Sequence, residues 1–564
     1  MKTLLMHPDR AFDVQLPLPW SQPQLTQDLE LNTLLGAMAD GDKFIYEVSR
    51  AALFSGFRND VKTIVYRQEV IGDCLANPDR IRALYALTVE ATDNTKRMWW
   101  DLSSQYPDSV LFGAISLLEF LRDSLRKLRQ LAEEANDQFH SSAFSTLFAM
   151  LRTELGDDYL ATIDQYLSDM KFRNGTLLTV QLGKDNEGTN YTLARPPKRE
   201  PNWFKRMLTK TPPGYTFRLD PRDERGARIV GTIRQRGICR IAVTLAQSAG
   251  HVLNFFKAMK TELAFYVGCL NLQQKLSAKQ EPICLPTPAP LIERKHRFSG
   301  LYDVCLALHM ERRVVGNDAD AKKKSAVIVT GANQGGKSSF LRSIGLAQLM
   351  MQSGMFVGAE SFEAELCPAL FTHYKREEDA TMKSGKLDEE LARMSDIADH
   401  VAPNSMLLLN ESFAATNERE GSEIATQIVT AMLEKRVKVF FVTHLYEFAH
   451  RFFVTRPDDG LFLRAVRLPD GTRTFKLVER EPLETSYGED LYREIFRDHQ
   501  HSNEPLPNRS ITSSQDAGGP TDSSPTRSGA DPSGDDYPGA ARTSISEDHG
   551  SRRDRGSSKA IEAR

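Results

Sequence analysis

Cysteine is scarce in this 564-residue chain. Six occur, at Cys74, Cys239, Cys269, Cys284, Cys305 and Cys367, far apart and never as a CxxC pair. That spacing argues against a disulfide scaffold and a thiolate zinc site, and for reduced thiols in a cytoplasmic setting. Net charge is small as well, at −3. The chain is no polycation, so any contact with nucleic acid has to come from a local patch. No run of about 18 apolar residues occurs, which argues against a membrane-spanning helix. The opening MKTLLMHPDRAF has no apolar stretch of signal-peptide length. What is present is ordinary for globular protein, 40% hydrophobic and 26% charged. The length calls for two to four domains.

The last 64 residues, 501–564, contain 13 Ser, 7 Gly and 6 Pro, with Tyr537 the only aromatic. Such a segment buries too little apolar surface to offset its ordering entropy, and it reads as a disordered tail. After an N-terminal extension (1–30), residues 31–173 read as helical. In DSVLFGAISLLEFLRDSLRKLRQLAEEAN, Leu118, Leu121, Leu125, Leu128, Ala132 and Ala135 recur in steps of 3 and 4, one apolar stripe of a long helix. Asp108, after Pro107, is its expected N-cap.

The period changes near Asn174. Leu178, Val180 and Leu182 alternate, a polar Gly-containing turn follows, and a second strand is expected around Tyr191 and Leu193. GYTFRLD alternates again. Residues 174–240 therefore read as a small strand-bearing insertion, and a basic one. From Arg195 to Arg240 there are 13 Lys or Arg against 4 Asp or Glu, a local net of +9. A patch of this kind attracts phosphate backbones through counterion release, although a charge run is more often only a solvated face. A second long helix is expected from about Gly250 to Leu276, then a Pro-rich connector, EPICLPTPAPLIERK, closing a 241–297 segment. Residues 298–500 alternate strands and helices, the pattern of an α/β domain.

Within that domain, AVIVTGANQGGKSSF joins an apolar strand, Ala326–Thr330, to a helical pattern from Ser339. Gly331 to Ser338 fits GxxxxGK[ST]. Its glycines let backbone N–H groups turn around a polyphosphate, and the helix N-terminus adds its dipole. Gly331, Asn333, Gln334, Gly335, Gly336, Lys337, Ser338 and Ser339 are the expected nucleotide contacts. Lys337 would reach the β- and γ-phosphates, and Ser338 would hold Mg2+. In SMLLLNESFAATNEREG a strand, Met406–Leu409, ends in Asn410 and Glu411. Glu411 is placed to activate water. Asn410 stands where an Asp usually holds the water shell of the metal; an amide accepts a hydrogen bond but brings no charge, so Mg2+ binding is expected to survive and to weaken. VKVFFVTHLYEF is another strand, Val437–Thr443, closed by His444, which can sense the γ-phosphate.

These stretches resemble the MutS family of DNA mismatch repair ATPases. The first looks like that family's Walker A loop and following helix, the second like its Walker B and D-loop, and FFVTHLYEF like its histidine switch. Upstream, VYRQEVIGDCLANPDRIRALYAL resembles the start of the family's helical core, the long helices its levers, and the basic insertion its DNA clamp. The resemblance implies a multidomain chain whose helical core and levers carry a clamp-like insertion and lead to a P-loop ATPase domain of ABC type. It further implies ATP/ADP and Mg2+ as cofactors and a homodimer joined through the ATPase domains. Double-stranded or branched DNA would be held by the clamps, in mismatch repair or recombination. It places Ser384 in the signature segment SGKLDEELARMSD, and Thr416 and Asn417 in the D-loop, all touching the neighbour's nucleotide. It makes Tyr302 the ring stacked on adenine, and Arg195, Lys198, Arg199, Lys205, Arg206 and Lys210 the DNA contacts.

Three departures stand out. Asn410 replaces the Walker B aspartate and puts the hydrolysis rate in question. Ser412 to Ala415 (SFAA) replace the usual glycines. The helical core is expected to begin near Leu31, which would leave no room in this sequence for mismatch-reading and connector domains, and no Phe-x-Glu wedge occurs in the first hundred residues. An alternative reading follows from these departures: a nucleotide-gated protein-interaction scaffold that has lost DNA or mismatch recognition. A metabolic P-loop kinase fits less well, because such kinases rarely need two helices of this length around a basic insertion.

Overall fold

The computed structural model of the chain describes residues 1–102, 106–172, 177–184, 188–193, 220, 222–291, 293–376 and 385–484. All lie in one compact unit, Met1–Asp498. The expected tail, the GYTFRLD strand, the six DNA-contact residues from Arg195 to Lys210, and Ser384 lie outside the described residues.

The helical half begins with α1 (Gln22–Asp28), α2 (Leu31–Ala39), α3 (Lys43–Ser55) and α4 (Val61–Ala76). It continues with α5 (Pro78–Leu102), α6 (Pro107–Ala135), α7 (Ser142–Glu154) and α8 (Asp157–Met170). Aspartates open α3 and α4: Asp42 accepts from the amides of Phe44 and Ile45, and Asp60 from that of Thr63, satisfying donors a helix start leaves open. On α6 the expected stripe is buried from Leu121 to Ala135, with Leu117 in place of Leu118 at its start. Asp108 is not the N-cap. The helix starts at Pro107, where a missing N–H costs little, and Asp108 sits in the first turn facing the positive end of the dipole.

β1 (Leu178–Leu182) and β2 (Gly188–Leu193) form the expected antiparallel pair. The following helix, α9 (Glu224–Ala278), has 55 residues and begins well before the expected Gly250. Gly226, Gly231, Gly237 and Gly250, with dense arginine, hide its apolar period from a reader of the sequence. One of these glycines is required by packing. A Cβ at Gly237 would stand 2.3 Å from Leu178 Cδ2, so β1 seats where the helix carries no side chain. Arg225, Arg228, Arg234, Arg236 and Arg240 therefore ride on a helix and not on an insertion loop. α9 packs along α5 and α6, and Leu253, Phe256, Met259, Leu263, Tyr266 and Leu270 on it are buried.

The α/β half opens with β3 (Thr287–Ala289), β4 (His296–Leu301), α10 (Val304–His309), β5 (Asn317–Asp320) and β6 (Ala326–Gly331). Next come α11 (Lys337–Gln352), β7 (Ser361–Glu365), β8 (Leu370–Tyr374), α12 (Lys386–His400) and β9 (Met406–Asn410). It ends with α13 (Glu418–Glu434), β10 (Lys438–Val442), α14 (Tyr446–Thr455), β11 (Gly460–Arg467) and β12 (Arg473–Glu479). Among the described residues one sheet has the order β12-β11-β6-β10-β9-β8, with only β12 antiparallel to its neighbour. The smaller sheet has the order β3-β7-β4-β5. Its β3 lies in the Pro-rich stretch expected to be a connector and pairs with β7, so that stretch belongs to the α/β half. β6 and β10 are buried along their whole length, as inner strands covered on both faces should be.

Two junctions tie the halves together. The residues before α1 are core, with Leu5 and Met6 fully buried. Glu262 of α9 accepts from the amides of Leu5 (2.7 Å) and Phe12 (3.1 Å). Arg67 of α4, itself 0% exposed, donates to Met6 O and to Ser353 O just past the C-terminus of α11. The second junction is the far end of α9. Lys279 Nζ donates to the carbonyls of Ala307, Leu308 and Met310 at 2.6–2.8 Å, and Glu281 accepts from the Val314 amide at 2.6 Å. No helix among the described residues is long and apolar enough to cross a membrane.

Candidate functional site

Parallel register assembles the site. Val442 of β10 lies opposite Val329 of β6 and Asn410 of β9. The residues after Val329, Val442 and Asn410 thus emerge at one edge of the sheet, where ligands of open α/β sheets bind. The turn after β6 needs its glycines. Gly336 has φ +83 and precedes α11, and a Cβ on Gly335 would stand 2.8 Å from Ala465 Cβ. With either side chain added, the loop would strain or lift from β11.

α11 begins at Lys337, two residues earlier than the sequence pattern, and so aims its first amides at the loop. Lys337 is buried, and its Nζ donates to Gly331 O (3.0 Å) and Ala332 O (2.9 Å). Burial pushes its ammonium down to about 8, with the Glu411 carboxylate opposing. Ser338 Oγ donates to Asn410 Oδ1 at 3.1 Å, so the two expected metal-side groups meet. Both offer oxygen, the donor that Mg2+ prefers. His444 Nε2 and Glu411 Oε1 are 2.9 Å apart. This hydrogen bond is the main reason the Glu411 carboxyl is held below the usual range, against its burial. Glu411 has φ +54 and Phe413 φ +64, a left-handed hook after β9 that turns Glu411 back to His444. Strain of this kind is typical of functional turns.

A cavity of about 680 Å3 lies over the loop, within the range of small-ligand sites. Asn333, Gln334, Gly335, Gly336, Lys337, Ser338, Ser339 and Glu411 line it. Gly331 contributes its carbonyl to Lys337 instead. Tyr302 reaches the lining but is 3% exposed, which leaves no open ring face for a base. The open ring is Phe475 on β12, 40% exposed and with φ +58. A Cβ on Gly336 would lie 3.5 Å from its Cδ1, so the ring stands against the glycine turn after β6. Arg473 donates to Asn333 O at 3.1 Å. Neither residue belongs to a motif, and only the return of β12 across β11 brings them here. Thr416 and Asn417 cap α13: Asn417 accepts from the Glu420 amide and Thr416 donates to Glu420 Oε2.

The family model described as MutS2 N-terminal domain matches residues 59–279, and that of MutS domain V matches 327–493. The DNA mismatch repair protein MutS of Petrotoga mobilis is 28% identical over 174 residues, 31% of this chain and 21% of that protein. Endonuclease MutS2 of Thermus thermophilus is 28% identical over 181 residues, 32% of this chain and 23% of that protein. MutS protein homolog 4 of Mus musculus is 27% identical over 151 residues, 27% of this chain and 16% of that protein. The chain therefore spans about a fifth of the length of these relatives. One family model covers α4 through α9 and the other covers β6 to beyond β12, leaving residues 1–58, 280–326 and 494–564 unmatched. The chain belongs to the MutS family.

Proposed function

We propose that the chain is an ATP-driven DNA clamp of the MutS type, acting as a dimer through its α/β halves in mismatch repair or recombination. The observation that carries this reading is one cavity lined by Lys337, Ser338 and Glu411, with Asn410 hydrogen-bonded to Ser338 and His444 to Glu411. In hydrolysis, Glu411 takes a proton from water as the water oxygen attacks the γ-phosphorus, and the bond to the β-γ bridging oxygen breaks to leave ADP. His444 fixes the carboxylate that does this. Lys337 leaves its two carbonyls for the phosphates. Mg2+, held by Ser338 and through water by Asn410, would neutralise phosphate charge. Ser384, Thr416 and Asn417 would reach the partner subunit's nucleotide.

We assign the base-stacking role to Phe475 in place of Tyr302. Phe475→Ala is expected to weaken ATP and ADP by about 1–2 kcal/mol, roughly 5- to 30-fold. Competition by inorganic triphosphate should stay unchanged in a fluorescent-nucleotide titration. Equal losses for triphosphate would place the ring elsewhere.

DNA binding is tested by salt titration on duplex, branched and single-stranded DNA. Neutralising Arg195, Lys198, Arg199, Lys205, Arg206 and Lys210 should flatten the slope of log Kd against log salt by up to about 5, roughly 0.9 per lost phosphate contact. Wild-type protein that binds none of these DNAs at low salt would favour the scaffold reading.

A further inference from the structure

The hook that carries Glu411 is held by residues outside the site. Glu411 (φ +54) and Phe413 (φ +64) are both left-handed, a conformation that glycine adopts without strain and that a glutamate or phenylalanine does not. Such strain persists only where the surroundings over-determine it. Here two buried side chains that the chemistry does not use meet the hook, His373 on β8 and Glu390 on α12.

Glu390 Oε2 accepts from the Phe413 amide at 2.8 Å. His373 ties the same stretch a second time. Its Nδ1 lies 2.7 Å from Ser412 Oγ, its Nε2 lies 3.0 Å from the carbonyl of Glu390, and its ring stacks on that of Phe413 with centroids 5.5 Å apart. A carbonyl only accepts, so Nε2 carries a proton. The Ser412 hydroxyl is also 2.7 Å from the His373 carbonyl, so it stays with that residue whichever atom takes its hydrogen. Residues 412 and 413 are therefore each tied to position 390, one through His373 and one directly. All four residues are 0% exposed, so water does not replace a bond that is lost. Charge is not what Glu390 contributes. Burial raises its carboxyl, against the Phe413 amide, and its Oε1 makes no hydrogen bond. One acceptor oxygen is what the hook uses. α12 starts at Lys386, so Glu390 stands about one turn into it, and a shift of that turn is delivered to the peptide two residues beyond Glu411.

We propose that Glu390, with His373, is a positioning residue that keeps Glu411 turned toward His444 and the attacking water, so that α12 governs hydrolysis without touching the nucleotide. The proposal rests on the reading of Glu411 given above. Ser412 and Phe413 fall in the stretch where the sequence lacks glycines, and side chains from β8 and α12 hold there what glycine would hold unaided.

The test is a double-mutant cycle on the full chain, read as single-turnover hydrolysis beside equilibrium binding of a fluorescent ATP analogue. Glu390→Ala is expected to slow hydrolysis about 10- to 100-fold, the scale of a misplaced reacting group, with nucleotide affinity within about twofold of wild type. Glu390→Gln keeps an acceptor oxygen for the Phe413 amide and restores the rate to within about threefold of wild type. In a Glu411→Gln background, Glu390→Ala costs less than about twofold more, because a residue that acts through Glu411 has nothing left to act on. A wild-type rate in Glu390→Ala overturns the proposal. So do equal fractional losses in the two backgrounds, or a fall in nucleotide affinity as large as the fall in rate, either of which marks a purely structural role. Should Glu390→Ala not fold, Ser412→Ala, which cuts the His373 tie and leaves the Phe413 bond, runs the same cycle with the same expected non-additivity. A Glu411→Gln variant as fast as wild type would remove the reading of Glu411 and this proposal with it. A slow Glu411→Gln beside a fast Glu390→Ala removes this proposal alone.

Discussion

Lys337→Ala abolishes binding of ATP and ADP, a loss expected to exceed about 100-fold, since a charge-assisted contact to phosphate in a buried site is removed. The fold should survive. The ammonium satisfies only the carbonyls of Gly331 and Ala332, and Lys337 itself lines the large cavity, from which water can enter to replace it. Thermal unfolding is the control and equilibrium nucleotide binding the readout. Normal ATP binding by the alanine variant would displace the site from this loop. The same lysine predicts a pH effect in wild type. Burial holds it down to about 8, and phosphates bound beside it raise it again. Binding then takes up a proton above that pH, so affinity falls as pH climbs past about 8, by at most about tenfold per unit.

Glu411→Gln should leave nucleotide affinity within about twofold and slow hydrolysis roughly 10²- to 10⁴-fold, the range for loss of a general base. The amide keeps the size of the carboxylate and its hydrogen bond to His444, so the left-handed hook after β9 stays in place and only proton acceptance is lost. Single-turnover hydrolysis separates this from slow product release. A variant as fast as wild type would take Glu411 out of the chemistry. The wild-type rate itself is expected to depend steeply on Mg2+, since Asn410 brings no charge.

The parts of the site that lie in one local string were legible before the structure. Gly331 to Ser338, Asn410–Glu411 and His444 each follow an apolar strand, and strand ends in a parallel sheet share an edge. The helices with clean apolar periods, such as α6, were legible for the same reason. What escaped depends on contacts between distant segments. Leu5, Met6 and Phe12 follow no period, because their burial comes from Glu262 and Arg67 reaching them from other helices. The first half of α9 was hidden by glycines, one of which exists to admit Leu178. Phe475 sits on a strand that runs back over the loop, and nothing near it in sequence marks its place beside Gly336. Tyr302 was chosen by resemblance, and packing closes its face.

The grip of Lys279 and Glu281 on the loop that lines the large cavity has a mechanical consequence. A 55-residue helix is about 80 Å long. If its fastened end pivots by one degree as Met310 and Val314 settle around a ligand, the free end sweeps about 1.4 Å, given that length. Five degrees would carry it roughly 7 Å, farther than the spacing between neighbouring phosphates of a DNA strand. On the proposed clamp reading, a rearrangement too small to notice beside the bound nucleotide would be enough, through this rod, to open or shut the far end on DNA.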